Sequence, residues 1–361
     1  MSTPHFHDLP VLAIEPEAAH AAAITLQVPP DQVQAYAFEP GQFITVRAQV
    51  QGQEVRRSYS LCSTPAELAQ HGRIRIGVRA VEGGLMSNWL TQQLQVGQSL
   101  NAAPPEGRFV IKRPRALHRV GFAAGSGITP ILSILTHTLE GSAQAKFTLV
   151  YGNRRMDSVM FNEALQDLKD RYPDRLTLIH ILSRQAQEVP LLEGRIDQAK
   201  VIDLMQVFLP VNSMDEVFIC GPEPMIEATE SALLGAGVKR ERVHTERFAS
   251  AGSAAPVARS KSRAPAETGD VKLSVIVDGK RHDMHMQSTQ RILDVALQAG
   301  LDLPYSCKAG VCCTCRAKVM SGQVSMEKNF TLEEGEMKQG FVLSCQAVPT
   351  TPEVVVSFDE R

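Results

Sequence analysis

Apolar residues alternate with polar or small ones through Arg73-Ile-Arg-Ile-Gly-Val-Arg-Ala80, which puts Ile74, Ile76, Val78 and Ala80 on one side of an extended chain. A period of two marks a strand with one buried face. Comparable short segments run from about residue 10 to 112, punctuated at Pro40-Gly41, near Glu54 and at Gly83-Gly84, with no long helical pattern before Met86. They predict a small antiparallel β-barrel over residues 1–112. Beyond it the pattern changes to continuous apolar runs at 119–124, 146–151, 175–182 and 216–220, separated by helix-like stretches. Strands buried on both faces and alternating with helices predict a parallel α/β sheet over residues 113–249. Residues 250–269 then shrink to Ala, Ser, Gly, Pro and Arg, a composition with little to bury, and predict a flexible linker. The last unit, residues 270–361, opens with a strand over 272–277, a turn at Asp278-Gly279 and a strand to Met286. A helix over 290–299 follows, with Ile292, Val295, Ala296 and Ala299 on one face and Gly300 as its stop.

The strongest chemical signal lies in this last unit. In Pro304-Tyr-Ser-Cys307-Lys-Ala-Gly-Val-Cys312-Cys313-Thr-Cys315, the cysteines 307, 312 and 315 have four and then two residues between them, and Cys345 follows at a distance. This is the plant-type spacing for four thiolates around two irons. Gly310 suits a backbone that must wrap a cluster closely. Structural zinc is the alternative, but zinc sites usually pair two short clips. Here the fourth sulfur stands alone unless His282 and His285 supply the second clip. A disulfide framework fits less well, because close-set cysteines without a secretory signal indicate metal or redox chemistry. Cys313 is surplus to the spacing and reads as a small, oxidisable neighbour. Cys62 reads as structural.

Charge narrows the classes further. With 37 Lys and Arg against 39 Asp and Glu, nothing favours nucleic acid or a membrane surface. The N-terminus shows neither a basic nor an apolar leader region, and the apolar stretch 120–135 is broken by three glycines and Pro130. A reducing, cytoplasmic setting is expected. Glu327, Glu333, Glu334 and Glu336, which precede Cys345, read equally as an acidic docking face or as a solvated charge run.

Two motifs in the barrel region point to a bound dinucleotide. Arg57-Ser-Tyr59-Ser60 places a cation and a flat aromatic on the same side of a strand, suited to a pyrophosphate and a flavin ring. Gly83-Gly84-Leu-Met-Ser87 leads into a helix expected to begin near Asn88, whose amides with the Ser87 hydroxyl would form an anion site. In the α/β region, Gly125-Ser-Gly127-Ile-Thr-Pro130 lies between a strand at 120–124 and a helix at 131–139, with proline where the dinucleotide fingerprint has its third glycine. Arg154 and Ser183-Arg184 end two successive strands. They supply cations where an NAD site would carry an acid, which favours a 2′-phosphate and hence NADPH over NADH. Cys220-Gly221 closes the last strand at the sheet edge where ligands bind.

Taken together these motifs resemble the ferredoxin–NADP reductase superfamily fused to a plant-type ferredoxin, over essentially the whole chain. The resemblance implies a multidomain protein: an antiparallel β-barrel for FAD, a parallel-sheet α/β nucleotide-binding domain and a β-grasp 2Fe-2S ferredoxin domain. It assigns Arg57, Gly84 and Ser87 to the FAD pyrophosphate, Tyr59 to ring stacking and Ser60 to flavin N5. Gly125, Gly127 and Pro130 become the nucleotide loop, Cys220-Gly221 flanks the hydride path, and Ser183-Arg184 matches members that use NADPH. Glu246 and Phe248 contact flavin and nicotinamide. Tyr151-Gly-Asn-Arg154, Phe218-Ile-Cys-Gly-Pro222, His244-Thr-Glu-Arg-Phe248 and Pro304-Tyr-Ser-Cys307 are most similar to the reductases of the phenylacetyl-CoA epoxidase type. This implies electron delivery from NADPH through FAD and a 2Fe-2S cluster to a di-iron oxygenase. Reductases of ring-hydroxylating dioxygenases or demethylases, and a passive ferredoxin-type carrier, are the alternatives.

Overall fold

The structure is a computed structural model and describes residues 5–249 and 270–360; the linker expected over 250–269 lies outside the described residues. Six strands form the first sheet: β1 (His7–Ala18), β2 (Ala21–Gln27), β3 (Phe43–Val50), β4 (Gln53–Ser60), β5 (Arg73–Arg79) and β6 (Ser99–Ala102). They are ordered β4-β3-β6-β1-β2-β5, every neighbouring pair antiparallel. A bridge between Leu61 and Ile76 joins the outer strands and closes the barrel. Ile74, Ile76 and Val78 are fully buried, as their alternation requires, whereas Ala80 falls just past β5 and is half-buried. The β3–β4 turn is Gln51-Gly52, both at positive φ, and Glu54 lies inside β4. Two helices interrupt the barrel. Helix α1 (Pro65–His71) is capped by the Thr64 side chain accepting from the Glu67 amide and ends at left-handed Gly72. Helix α2 (Leu85–Gln92) begins three residues before the expected start near Asn88.

The second sheet is wholly parallel: β7 (His118–Ala124), β8 (Lys146–Asn153), β9 (Leu176–Leu182), β10 (Glu216–Cys220) and β11 (Val243–Glu246), in the order β11-β10-β7-β8-β9. Helices α3 (Ile128–Gly141) and α4 (Asn162–Arg171) share one core with Phe147, Leu149 and Phe218, into which Cys62 and Phe109 of the barrel also pack. Helices α5 (Gln198–Val207) and α6 (Glu223–Gly235) cover the other face over Val120, Phe122 and Ile219. The chain departs from β7 in opposite directions, to β8 and later to β10, so a crevice opens at the carboxyl ends of β7 and β10.

The third unit comprises β12 (Val271–Val277), β13 (Lys280–Met286), α7 (Ile292–Gln298), β14 (Arg316–Ser321), β15 (Val324–Met326), α8 (Glu334–Lys338), β16 (Phe341–Leu343), β17 (Ala347–Pro349) and β18 (Glu353–Ser357). Its main sheet runs β13-β12-β18-β14-β16, with β12 and β18 parallel and the other pairs antiparallel. The Asp278-Gly279 turn has both residues at positive φ, which explains its sequence. Helix α7 packs Ile292, Val295 and Ala296 over this sheet.

Besides the shared core, a buried carboxylate ties the end of the barrel segment to the parallel sheet. Glu216, with no side-chain exposure, accepts from the Lys112 and Arg113 amides at 2.7 and 3.2 Å and from Arg119 Nε at 3.1 Å. His244 Nε2 lies 3.0 Å away. Burial pushes this carboxyl up, but hydrogen bonds from His244, Lys112 and Arg119 outweigh it and hold the group below its ordinary value. Its contribution to stability is therefore present above the ordinary carboxyl range and lost as pH falls through the lowered value. Glu216→Ala strands the Arg119 charge in the interior and is expected to cost about 3–5 kcal/mol, read from denaturant unfolding of the holoprotein.

Candidate functional site

The barrel strand β4 forms one wall of a cleft of about 400 Å³. Arg57, Tyr59 and Ser60 line it together with Gly84, Ser87, Glu246 and Phe248, so these seven expected residues converge. Ser87 lies in the first turn of α2, where its Oγ accepts from the Val81 amide at 3.2 Å and reaches the Gly84 carbonyl. First-turn amides of a helix have no intrahelical acceptor, so the earlier start of α2 leaves Leu85, Met86 and Ser87 as free donors beside the cleft. A side chain at Gly84 would meet Val81 Cγ2 at 2.5 Å and Ser87 Oγ at 2.6 Å. Only glycine permits this close turn. At the floor, Ser60 Oγ donates to Glu246 Oε2 at 3.4 Å, and burial pushes the Glu246 carboxyl up to about 8.

The nucleotide loop stands at the crevice of the parallel sheet. Gly125 has φ +55, and its carbonyl accepts from Tyr151 Oη at 2.9 Å. A Cβ on Gly127 would fall 2.1 Å from the Cys220 carbonyl oxygen, which fixes glycine where loop and strand end touch. Helix α3 starts at Ile128, so Pro130 sits in its first turn, where it removes no hydrogen bond. Ser126 and Thr129 of this segment reach the cleft. Cys220 pairs with Glu246 in the β10–β11 register, but its side chain is wholly buried in the core and the thiol does not line the cleft. Gly221 packs against Met225 and Ala124. Further out, the Ser183 amide donates to the Asn153 carbonyl and the Arg184 amide to that of Arg154, at 2.9 and 2.8 Å. These bonds hold Arg154, Ser183 and Arg184 side by side, with both arginines exposed and in no ion pair among the described residues.

The four spaced cysteines are all buried. Cys307 lies beside Cys312, and Cys315 beside Cys345. Among the described residues no three His, Cys, Asp or Glu side chains converge on one ion. Two thiol pairs suit a cluster of two irons with two thiolates each, and His282 and His285 lie apart in sequence from these cysteines, on β13. The Ala309 amide donates to Cys307 Sγ at 3.3 Å and Gln346 Nε2 to Cys345 Sγ at 3.7 Å, and the amides of Val311 and Cys312 near the first sulfur and of Gly310 near the second likewise favour anionic sulfur. Gly310 has φ +78, and a Cβ there would press on the Lys328 carbonyl at 3.0 Å. Cys313, also at positive φ, is half-buried and turned toward Arg108.

Cys307 and Cys312 line the same cleft as Tyr59 and Ser60, and Phe43 of β3 packs on both. Sequence reasoning did not foresee this approach. It also missed Arg79, Arg247 and Lys308, which line the cleft as well. The acidic run proves to be largely spoken for. Glu336 binds Arg108 of the barrel bidentately and meets Arg316, Glu327 pairs with Arg291, and Glu333 caps α8. A free docking face made of all four acids is therefore ruled out.

Three family descriptions match in succession: an oxidoreductase FAD-binding domain over residues 10–111, an oxidoreductase NAD-binding domain over 122–231 and a 2Fe-2S iron-sulfur cluster binding domain over 275–350. The chain is 41% identical to one of the subunits of the 1,2-phenylacetyl-CoA epoxidase of Escherichia coli K12, over 99% of this chain and 98% of that protein. It is 35% identical to the ferredoxin reductase component of the 3-ketosteroid-9-alpha-monooxygenase of Rhodococcus rhodochrous, covering 97% and 96%. In fold it is similar to phthalate dioxygenase reductase, with a TM-score of 0.60, 20% identity and 98% of each chain covered. The pocket and the thiol pairs fit the FAD and the 2Fe-2S cluster these matches imply. The chain belongs to the family of ferredoxin–NADP reductase-like proteins fused to a C-terminal 2Fe-2S ferredoxin, NAD(P)H-dependent oxidoreductases that act as reductase components of multicomponent oxygenases.

Proposed function

We propose that this chain is the NADPH-dependent, cytoplasmic reductase of a di-iron oxygenase of the phenylacetyl-CoA epoxidase type. The observation that carries the electron-transfer reading is the shared cleft: Tyr59 and Ser60 on one wall, Cys307 and Cys312 on the other. The identity to the Escherichia coli epoxidase protein supports the choice of partner. Bound FAD takes two electrons as a hydride and releases them singly, and the cluster accepts one at a time. The protein's residues supply placement and electrostatics. Arg57 and the free amides of the first turn of α2 would hold the pyrophosphate, and Tyr59 would cover the ring. Ser60 and Glu246 stand at the reacting edge. Gly125, Gly127 and Pro130 receive the dinucleotide, and Gly221 leaves room beside them. Cys220 shapes that strand end from within the core. Phe248, exposed at the mouth of the cleft, shields the ring. Cys307, Cys312, Cys315 and Cys345 would hold the cluster through their thiolates.

The preference for NADPH rests on Arg154, Ser183 and Arg184. A 2′-phosphate placed between two unpaired guanidinium groups gains charge-assisted hydrogen bonds that the ribose hydroxyl of NADH does not offer. Arg184→Glu is expected to raise KM for NADPH about tenfold or more and leave KM for NADH within about twofold, measured by steady-state flavin reduction. Equal KM shifts for both nucleotides would remove the phosphate from this site. The partner is tested by reconstitution with purified phenylacetyl-CoA epoxidase and with 3-ketosteroid-9-alpha-monooxygenase oxygenases, scoring oxygenated product per NADPH consumed. Turnover with the steroid oxygenase alone would replace the proposed partner by the second.

A further inference from the structure

Strand β4 alternates between two jobs. Its flavin-side residues, Arg57 and Tyr59, occupy one set of alternate positions, and Arg56 and Ser58 occupy the other. The second set reaches residues of the third unit. The Arg56 side chain is 1% exposed although it stands on a barrel strand. Its Nη2 lies 2.8 Å from Asp302 Oδ1, its Nη1 donates to the Leu303 carbonyl at 3.2 Å, and its Nε donates to Glu54 Oε1 at 3.1 Å. The guanidinium also lies over the Tyr305 ring, 4.6 Å from the centroid. Two residues along β4, Ser58 Oγ and Ser306 Oγ are 2.7 Å apart. Asp302, Leu303, Tyr305 and Ser306 are the residues that lead directly into Cys307.

We propose that Arg56 and Ser58 are positioning residues that hold the cluster-bearing loop in register with the flavin cleft, through Asp302, the Leu303 carbonyl and Ser306. The proposal rests on the reading of Arg57 and Tyr59 as flavin residues. A guanidinium sunk among three acceptors and an aromatic face has one satisfied geometry, unlike an exposed ion pair that samples many. The strand beneath it is fixed by full antiparallel pairing with β3, in which Arg56 faces Arg47 and Ser58 faces Thr45. One rigid strand therefore sets both the flavin and the loop that carries Cys307. Electron transfer between two centres falls exponentially with their separation, so this shared ruler fixes the rate. The Arg-x-Tyr-Ser motif then has a use for its variable second position, which here is Ser58.

The test uses the full-length holoprotein and Asp302→Arg, a change at a side chain that is 55% exposed and therefore compatible with folding. Asp302→Glu serves as the conservative partner, and Ser306→Ala tests the second contact. Anaerobic mixing with NADPH is followed at the flavin band and, after freeze-quenching, by the spin signal of the reduced cluster. Hydrogen exchange of segments 53–60 and 300–307 reports docking without any turnover. Asp302→Arg is expected to slow cluster reduction about tenfold or more, leave flavin bleaching within about twofold and raise exchange in both segments. Asp302→Glu should restore most of the rate, and Ser306→Ala should show a smaller effect of the same kind. Unchanged cluster reduction and unchanged exchange in Asp302→Arg would overturn the proposal. So would loss of bound flavin in step with cluster reduction, because Arg56 would then be a brace of the barrel. Failure of the underlying flavin reading shows separately, as unsubstituted protein that NADPH does not bleach.

Discussion

Cys345→Ser is expected to abolish the cluster and every electron transfer that depends on it, while NADPH still bleaches the flavin. Cys345 is the one proposed ligand from outside the 307–315 loop, on the return after β16, and it lies beside Cys315. A serine hydroxyl at that place is a harder and less acidic donor than a thiol and does not replace thiolate on iron. The amide of Gly310 and the side chain of Gln346, both directed at the Cys345 sulfur, would lose the anion they are arranged to meet. The visible absorption and the reduced-cluster spin signal should fall to background, and transfer to the oxygenase should drop by at least about a hundredfold. Flavin content should hold, because the barrel keeps its own core around Ile44, Val46 and Ile76. Cys313→Ser is the matched control. Cys313 interacts with Arg108 and Thr331 and is surplus to the four-thiolate spacing, so its loss should leave the spin signal in place. Cluster loss in Cys313→Ser with retention in Cys345→Ser would reverse the ligand assignment.

The contrast between those two cysteines shows which information the chain carries locally. Ligand spacing, the Asp278-Gly279 turn and the alternation of Ile74, Ile76 and Val78 are written within a dozen residues, and each was legible. Helix α1 was legible too, through Thr64-Pro65 followed by Glu67 and ended by Gly72, but its short length hid it among strands. What could not be read are contacts whose partners lie far apart along the chain. Arg56 looks like a solvated strand residue until Asp302 and Leu303 are beside it. Glu216 looks like an ordinary strand-start acid until Lys112, Arg119 and His244 surround it. The acidic run before Cys345 read two ways for the same reason. Glu336 spends its charge on Arg108 across the boundary between units, and those two arms hold its carboxyl down at about 2. Cys220 shows the opposite limit. Its strand-end position was foreseen, but only the packing of β10 decides that its thiol points into the core.

Glu246 carries the second large effect, and its sign follows from its surroundings. The side chain is half-buried at the cleft floor, and desolvation lifts its carboxyl to about 8 although Ser60 donates to it. Below that value the group is neutral and holds a proton at hydrogen-bond distance from Ser60 Oγ. Above it the floor gains a negative charge where hydride delivery also builds negative charge, and that repulsion opposes the transfer. Flavin reduction by NADPH should therefore be fast and flat below about pH 7 and fall as pH rises through about 8. Glu246→Gln keeps the shape and the neutrality but cannot ionise, so its rate should stay near the low-pH plateau up to pH 9.5 and be free of the inflection, about tenfold or more above the unsubstituted protein there. Ser60→Ala should retain the titration, displaced upward, because the Ser60 hydrogen bond holds the carboxyl pKa down. The other charged or titratable groups facing Glu246 do not explain an inflection there. Burial pushes the Cys220 thiol well above its usual range, and Arg247 is engaged by Glu223 at 2.8 Å. Rapid-mixing measurements from pH 6 to 9.5 decide the matter: an inflection that survives in Glu246→Gln would assign the proton to another group and leave Glu246 as packing.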